Sequence, residues 1–153
     1  MKKFAFAGLV VALFASSAMA EEPAKIVAEC STNGGKYLVV SLDEQRKQLV
    51  TSYGGELPNG PADHIWVKST NSMFWNREYN ASEKVEDIEM YANFDKEWVT
   101  VSVTDRGSEV LVTLKVDENE KITTLDSCKS ITTLNMDDTV TRDMTWVSNN
   151  GEE

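Results

Sequence analysis

The chain has 153 residues, with 15 basic and 25 acidic side chains and a formal net charge of −10. A field of that sign repels nucleic acid and anionic lipid and argues against binding either. One histidine and two cysteines are too few for a zinc set built on those residues.

The N-terminus reads as an export leader. Lys2 and Lys3 form a short basic region, Phe4 to Phe14 is apolar, and Ala18-Met19-Ala20 is the small-x-small pattern of a cleavage site. The apolar stretch is too short to span a bilayer comfortably. Glu21 rather than a cysteine follows the cut, so no lipid anchor is expected. Residues 1–20 are expected to be removed. Residues 21–153 are expected to form a single β-domain in the periplasm or outside the cell, with no membrane insertion after cleavage. The leader carries two lysines and no acids, so the remaining 133 residues bear 13 basic and 25 acidic side chains, a net −12. Such a charge serves solubility; its functional reading is attraction of a cationic partner.

After residue 20 the pattern is period-two alternation broken by polar turns. Val, Ile, Thr, Tyr and Trp crowd the alternating segments and suit a pleated surface. Strands are expected at 24–31, 36–43 and 48–53, with Leu42 opposite Leu49 around residues 44–47. Cys30 falls in the first strand. The polar loop at 54–62 holds two of the three prolines, which deny ladder pairing.

Strands at 64–69 and 73–79 follow. Pairing Val67 with Phe74 makes a hairpin around residues 69–72 and sets Trp66 opposite Trp75. Ile65, Val67 and Phe74 then share one face, and Trp66 and Trp75 the other. The indoles either pack beneath a loop or the C-terminal tail, or form a contact surface for a ligand or protein. The second reading makes Trp66 and Trp75 the candidate contact residues, joined by Tyr91 and Trp98 on neighbouring polar faces. His64 reads as a loop-end surface residue, because nothing marks an activated hydroxyl for it to serve.

Strands at 86–94 and 98–104 match their apolar sets if Met90 faces Val101, Ala92 faces Val99 and Phe94 faces Glu97. The same matching sets Val101 against Val112 in a strand at 109–116. Gly107 supplies positive φ in the turn at 105–108. Residues 117–120 read as a hairpin turn: the glycine of the helix-loop-helix calcium pattern is absent. A strand at 121–128 ends on Cys128, with weaker strands at 131–136 and 139–147 and a disordered tail at 148–153. Two cysteines behind an export leader imply a Cys30–Cys128 disulfide joining an early strand to a late one.

Consecutive hairpins with one apolar face make an antiparallel meander, which must curl or stack to hide that face. The expected fold is all-β, a small barrel, with a two-sheet sandwich as the alternative. In outline the chain resembles the small acidic periplasmic inhibitors of c-type lysozyme, through its leader, Cys30 followed by a strand pair, and Cys128. That resemblance implies an exported antiparallel barrel with a disulfide between early and late strands. The family's inhibitory Ser-Gly and Lys-Gly loop motifs have no match; residues 51–55 come nearest and depart from them, so no inhibitory residue is carried over. The expected function is non-enzymatic binding of a protein or small ligand, with no catalytic, metal or cofactor residues assigned. An envelope interaction subunit, a lysozyme-inhibitor-like protein and a carboxylate-based hydrolase are the alternatives.

Overall fold

The computed structural model describes residues 23–56, 60–118 and 121–148. The expected leader, residues 149–153 of the expected tail, and residues 57–59 and 119–120 of the two loops lie outside the described residues.

Ten strands follow in chain order: β1 (Lys25–Thr32), β2 (Tyr37–Asp43), β3 (Gln48–Gly54), β4 (His64–Ser69), β5 (Phe74–Asn80), β6 (Val85–Phe94), β7 (Glu97–Asp105), β8 (Val110–Glu118), β9 (Lys121–Leu134) and β10 (Thr145–Trp146). They form one sheet in the order β10-β5-β6-β7-β8-β9-β1-β2-β3-β4. All pairs are antiparallel except β10 with β5. The sheet curls through 280° into a barrel-like shape.

Connectivity explains the curl. β4 ends one side of the strand order and β5 lies next to the other end, yet only residues 70–73 separate them in the chain. Five residue steps span at most about 17 Å, so the two sides of the sheet must come together. The expected hairpin between these strands does not form. β4 pairs with β3, setting Trp66 opposite Thr51, whereas β5 pairs with β6, setting Trp75 opposite Met90. Residues 70–72 form a 3-10 turn, anchored where Thr70 N donates to Lys47 O at 2.8 Å. Side chains carry bonds across the gap. Trp66 Nε1 donates to Glu97 Oε1 at 2.7 Å, and Lys68 Nζ donates to Asn93 O at 2.7 Å while lying 5.2 Å from the Phe94 ring centre.

The expected register of β6 and β7 is the observed one: Met90 faces Val101, Ala92 faces Val99 and Phe94 faces Glu97. Leu42 likewise faces Leu49. The next hairpin differs. Val101 faces Leu114 and Val103 faces Val112, because Asp105 pairs with Val110 and the turn occupies residues 106–109. A two-residue slip keeps every side chain on its face, so the apolar pattern alone could not detect it. Gly107 has the expected positive φ, 79°.

Residues 121–134 form one long strand rather than two. It pairs with β8 and β1, and the register shifts in both ladders. The expected strand at 139–147 is a short helix, α1 (Asp138–Thr141), followed by β10. Asp137 caps α1 by accepting from Thr139 N. Behind it Val140 and Met144 are buried in the common core.

That core lies on one face of the curled sheet. Leu38, Met90 and Leu114 are among its most completely buried members. Burying a side chain of this size contributes about 1.5–3 kcal/mol. Cys30 and Cys128 join the adjacent strands β1 and β9 through a disulfide, with Cα atoms 5.6 Å apart. The bridge therefore fastens strands that the sheet already pairs.

Candidate functional site

Alternation places two sets of side chains on β5–β9. Trp75, Met90, Val101 and Leu114 form one row across β5 to β8 on the core face. The neighbouring row, on the opposite face, is Phe74, Tyr91, Thr100, Lys115 and Thr124. Its central residue is the smallest-reaching of the inner three: Thr100 sits on β7 between Tyr91 and Lys115. A short side chain flanked by long ones leaves a trough. Trp98 and Asp117, directly opposite each other on β7 and β8, continue it along the strands. The result is a depression of about 530 Å³ lined by Asn76, Glu89, Tyr91, Trp98, Thr100, Lys115, Asp117 and Thr124. That volume falls within the range of small-molecule sites.

One wall is aromatic. Ring centres lie 5.7 Å apart for Phe74 and Tyr91, 6.2 Å for Phe74 and Trp98, and 6.1 Å for Tyr91 and Trp98. Contacting aromatic pairs stabilise one another by about 0.5–1.5 kcal/mol each. Packing of three rings into one wall holds them in place without a ligand. Trp98 is nevertheless 39% exposed.

The rest of the lining is polar. Lys115 Nζ reaches across β7 to Glu89 Oε1 at 2.9 Å. Ser102, between them in the sheet, is only 6% exposed. Asn76 Nδ2 donates to the other oxygen of Glu89 at 3.4 Å. Burial, and then the charge of Glu89, push the Tyr91 phenol up from its ordinary value. Its phenol hydroxyl can donate a hydrogen bond. Asp117 differs from these residues. Its Oδ1 is buried and has no hydrogen-bond partner among the described residues. A buried carboxylate oxygen without a donor is costly, and such groups are rare.

The four candidate aromatics divide into two pairs. Trp66, at 7% exposure, belongs to the core, and Trp75 packs partly buried against it. Their expected cross-strand pairing is absent. Tyr91 and Trp98 lie together on the opposite face and line the depression. The aliphatic residues of β4 face outward: Ile65 is 62% exposed and Val67 47%. His64 is exposed as expected, and its ring stacks 5.4 Å from that of Trp66. Phe74, Glu89, Lys115 and Asp117 were missed as site residues. The β6–β7 register already sets Tyr91 opposite Thr100, but Phe74 comes from β5, and Lys115 and Asp117 from β8, where the register expected from the sequence was two residues off.

A second polar cluster surrounds Asp126 on β9. Its carboxylate accepts from Tyr53 Oη at 2.9 Å, Gly34 N at 3.2 Å and Ser127 N at 2.8 Å. Burial works to raise the carboxyl's pKa, but the bonds from Thr32, Ser127, Tyr53 and Gly34 outweigh it and hold the group below its ordinary value. Burial, reinforced by the Asp126 hydrogen bond and charge and by the charge of Asp63, pushes Tyr53 up to about 12. This cluster is satisfied internally and ties the β1–β2 turn to β3 and β9.

No family model, curated protein or solved structure matches the chain.

Proposed function

We propose that the chain is an exported, non-enzymatic binding protein and that its ligand site is the depression on β5–β9. One observation carries the reading: Tyr91 and Trp98, braced by Phe74, line a cavity on the face turned away from the core. Large rings at solvent cost water contact unless something covers them. A ready-made aromatic wall beside polar groups is how small-ligand sites combine affinity with orientation.

Export is supported by the leader pattern and by the disulfide, which suits an oxidising compartment. The mass of the protein recovered from the cell envelope or medium tests this part. A chain beginning at Glu21 supports it, and a full-length chain recovered from the cytoplasm opposes it.

The site itself is tested by indole N–H nuclear magnetic resonance against a fragment library of amines, sugars and carboxylates. The four tryptophans supply distinct reporters. Hits should move the Trp98 signal and leave that of Trp66, which donates to Glu97 inside the barrel, unchanged. A library in which no compound moves Trp98 removes the proposal.

A further inference from the structure

The groups within the depression also point to the class of ligand. This step rests on the binding reading above. We infer that the depression takes a small organic cation, an ammonium or guanidinium group on an apolar body, with the charge at Asp117 and the body against Trp98 and Tyr91.

Three observations converge. First, the depression's own cation is already committed, because Lys115 is paired with Glu89 at 2.9 Å. Asp117 is then the uncompensated charge of the lining, and its Oδ1 is the atom without a donor among the described residues. A ligand ammonium or guanidinium supplies both the missing donor and the missing positive charge. Second, Trp98 stands directly opposite Asp117 across β7 and β8, which puts their Cβ atoms about 4.5–5.5 Å apart. The face of an indole attracts cations through its quadrupole. The two attractions therefore reinforce each other at one end of the trough. Third, the whole chain carries −10, so its long-range field draws cations in and repels anions.

The size and donor set favour an organic cation over a metal ion. A volume of about 530 Å³ is far larger than a bare ion needs. Calcium takes six to eight oxygen ligands, and among the described residues no group of three His, Cys, Asp or Glu side chains is placed to hold a metal. A neutral sugar would use the aromatic wall equally well. It would leave the charge of Asp117 uncompensated.

The test compares benzylamine, as its ammonium ion, with benzyl alcohol and methyl β-glucoside. Affinity is followed by the Trp98 indole signal and by calorimetry on the full mature protein. Benzylamine should bind at least tenfold more tightly than benzyl alcohol and should weaken as salt is raised. Asp117→Asn should remove most of that selectivity. Thr100→Leu, which fills the floor of the trough and removes no charged group, should weaken benzylamine at least tenfold. The indole spectrum of each variant reports whether it is folded. If benzyl alcohol or the glucoside binds at Trp98 as tightly as benzylamine, the site stands and the cation assignment is overturned. If none of the three moves Trp98 at millimolar concentration, both the cation assignment and the site fall. Selectivity that survives in Asp117→Asn also overturns the assignment.

Discussion

Breaking the Cys30–Cys128 bridge should cost far more than its contacts imply. The two residues are 98 apart in sequence. In the loop-entropy relation, closing a loop of that length lowers the free energy of folding by about 4.7 kcal/mol at 25 °C. The gain arises in the unfolded chain, because β1 and β9 are already hydrogen-bonded neighbours in the folded one. For roughly 120 ordered residues the unfolding entropy is about 0.25 kcal/mol/K. The expected fall in midpoint on reduction is therefore about 15–20 °C. Thermal and urea unfolding of the oxidised and reduced wild type measure the midpoint and the free energy without changing any residue. Cys30→Ala/Cys128→Ala provides a second form that cannot reoxidise. The denaturant slope should rise as well, because an unlinked unfolded chain exposes more surface. A loss below about 1 kcal/mol on reduction, with the slope unchanged, would refute the reasoning.

Other perturbations address packing and electrostatics. Leu114→Ala, fully buried at the centre of β8, should cost about 2–5 kcal/mol in urea unfolding. Ile65→Ala, on the open face of β4, should stay within about 0.5 kcal/mol of the wild type. Gly34→Ala would bring a methyl group to 2.5 Å from Asp126 Oδ2. It should push that carboxylate off its donors and cost about 1–3 kcal/mol, whereas Gly35→Ala meets no atom within 4 Å and is opposed only by its positive φ of 74°. The Tyr53 phenol titrates higher in the folded chain than in the unfolded one, at about 12 against 10.0. The folded state therefore binds the proton more tightly. This contribution is fully present below pH 10 and is lost as pH rises from 10 to 12. Unfolding curves across that window should show the loss in the wild type and a smaller one in Tyr53→Phe.

Much of the fold was legible because alternation fixes which residues share a face. The β6–β7 register followed from matching Met90 and Ala92 to Val101 and Val99. The disulfide followed from cysteine number and the expected export leader. Alternation does not say which face is inside. In β4 and β5 the aliphatic face and the tryptophan face are both apolar, so composition left open which of them is buried. The pairing of β4 with β3 decided otherwise by setting Trp66 against Thr51. A hairpin was the nearest solution for two strands joined by a short polar turn. Here that link joins the two sides of a curled sheet, a long-range closure that no local pattern records. The site was hidden for a related reason. Tyr91, Trp98 and Asp117 each look like ordinary members of a solvated face, and only three adjacent strands in register make them one depression.

The central claim is that the outer face of β5–β9 is arranged for a ligand rather than for the stability of the fold. The unfolding free energy of Asp117→Asn tests it most directly. Removing a carboxylate whose Oδ1 is buried with no donor among the described residues should leave stability unchanged or raise it. A fall of about 1–3 kcal/mol would mean that Asp117 holds the barrel together, and would contradict the claim.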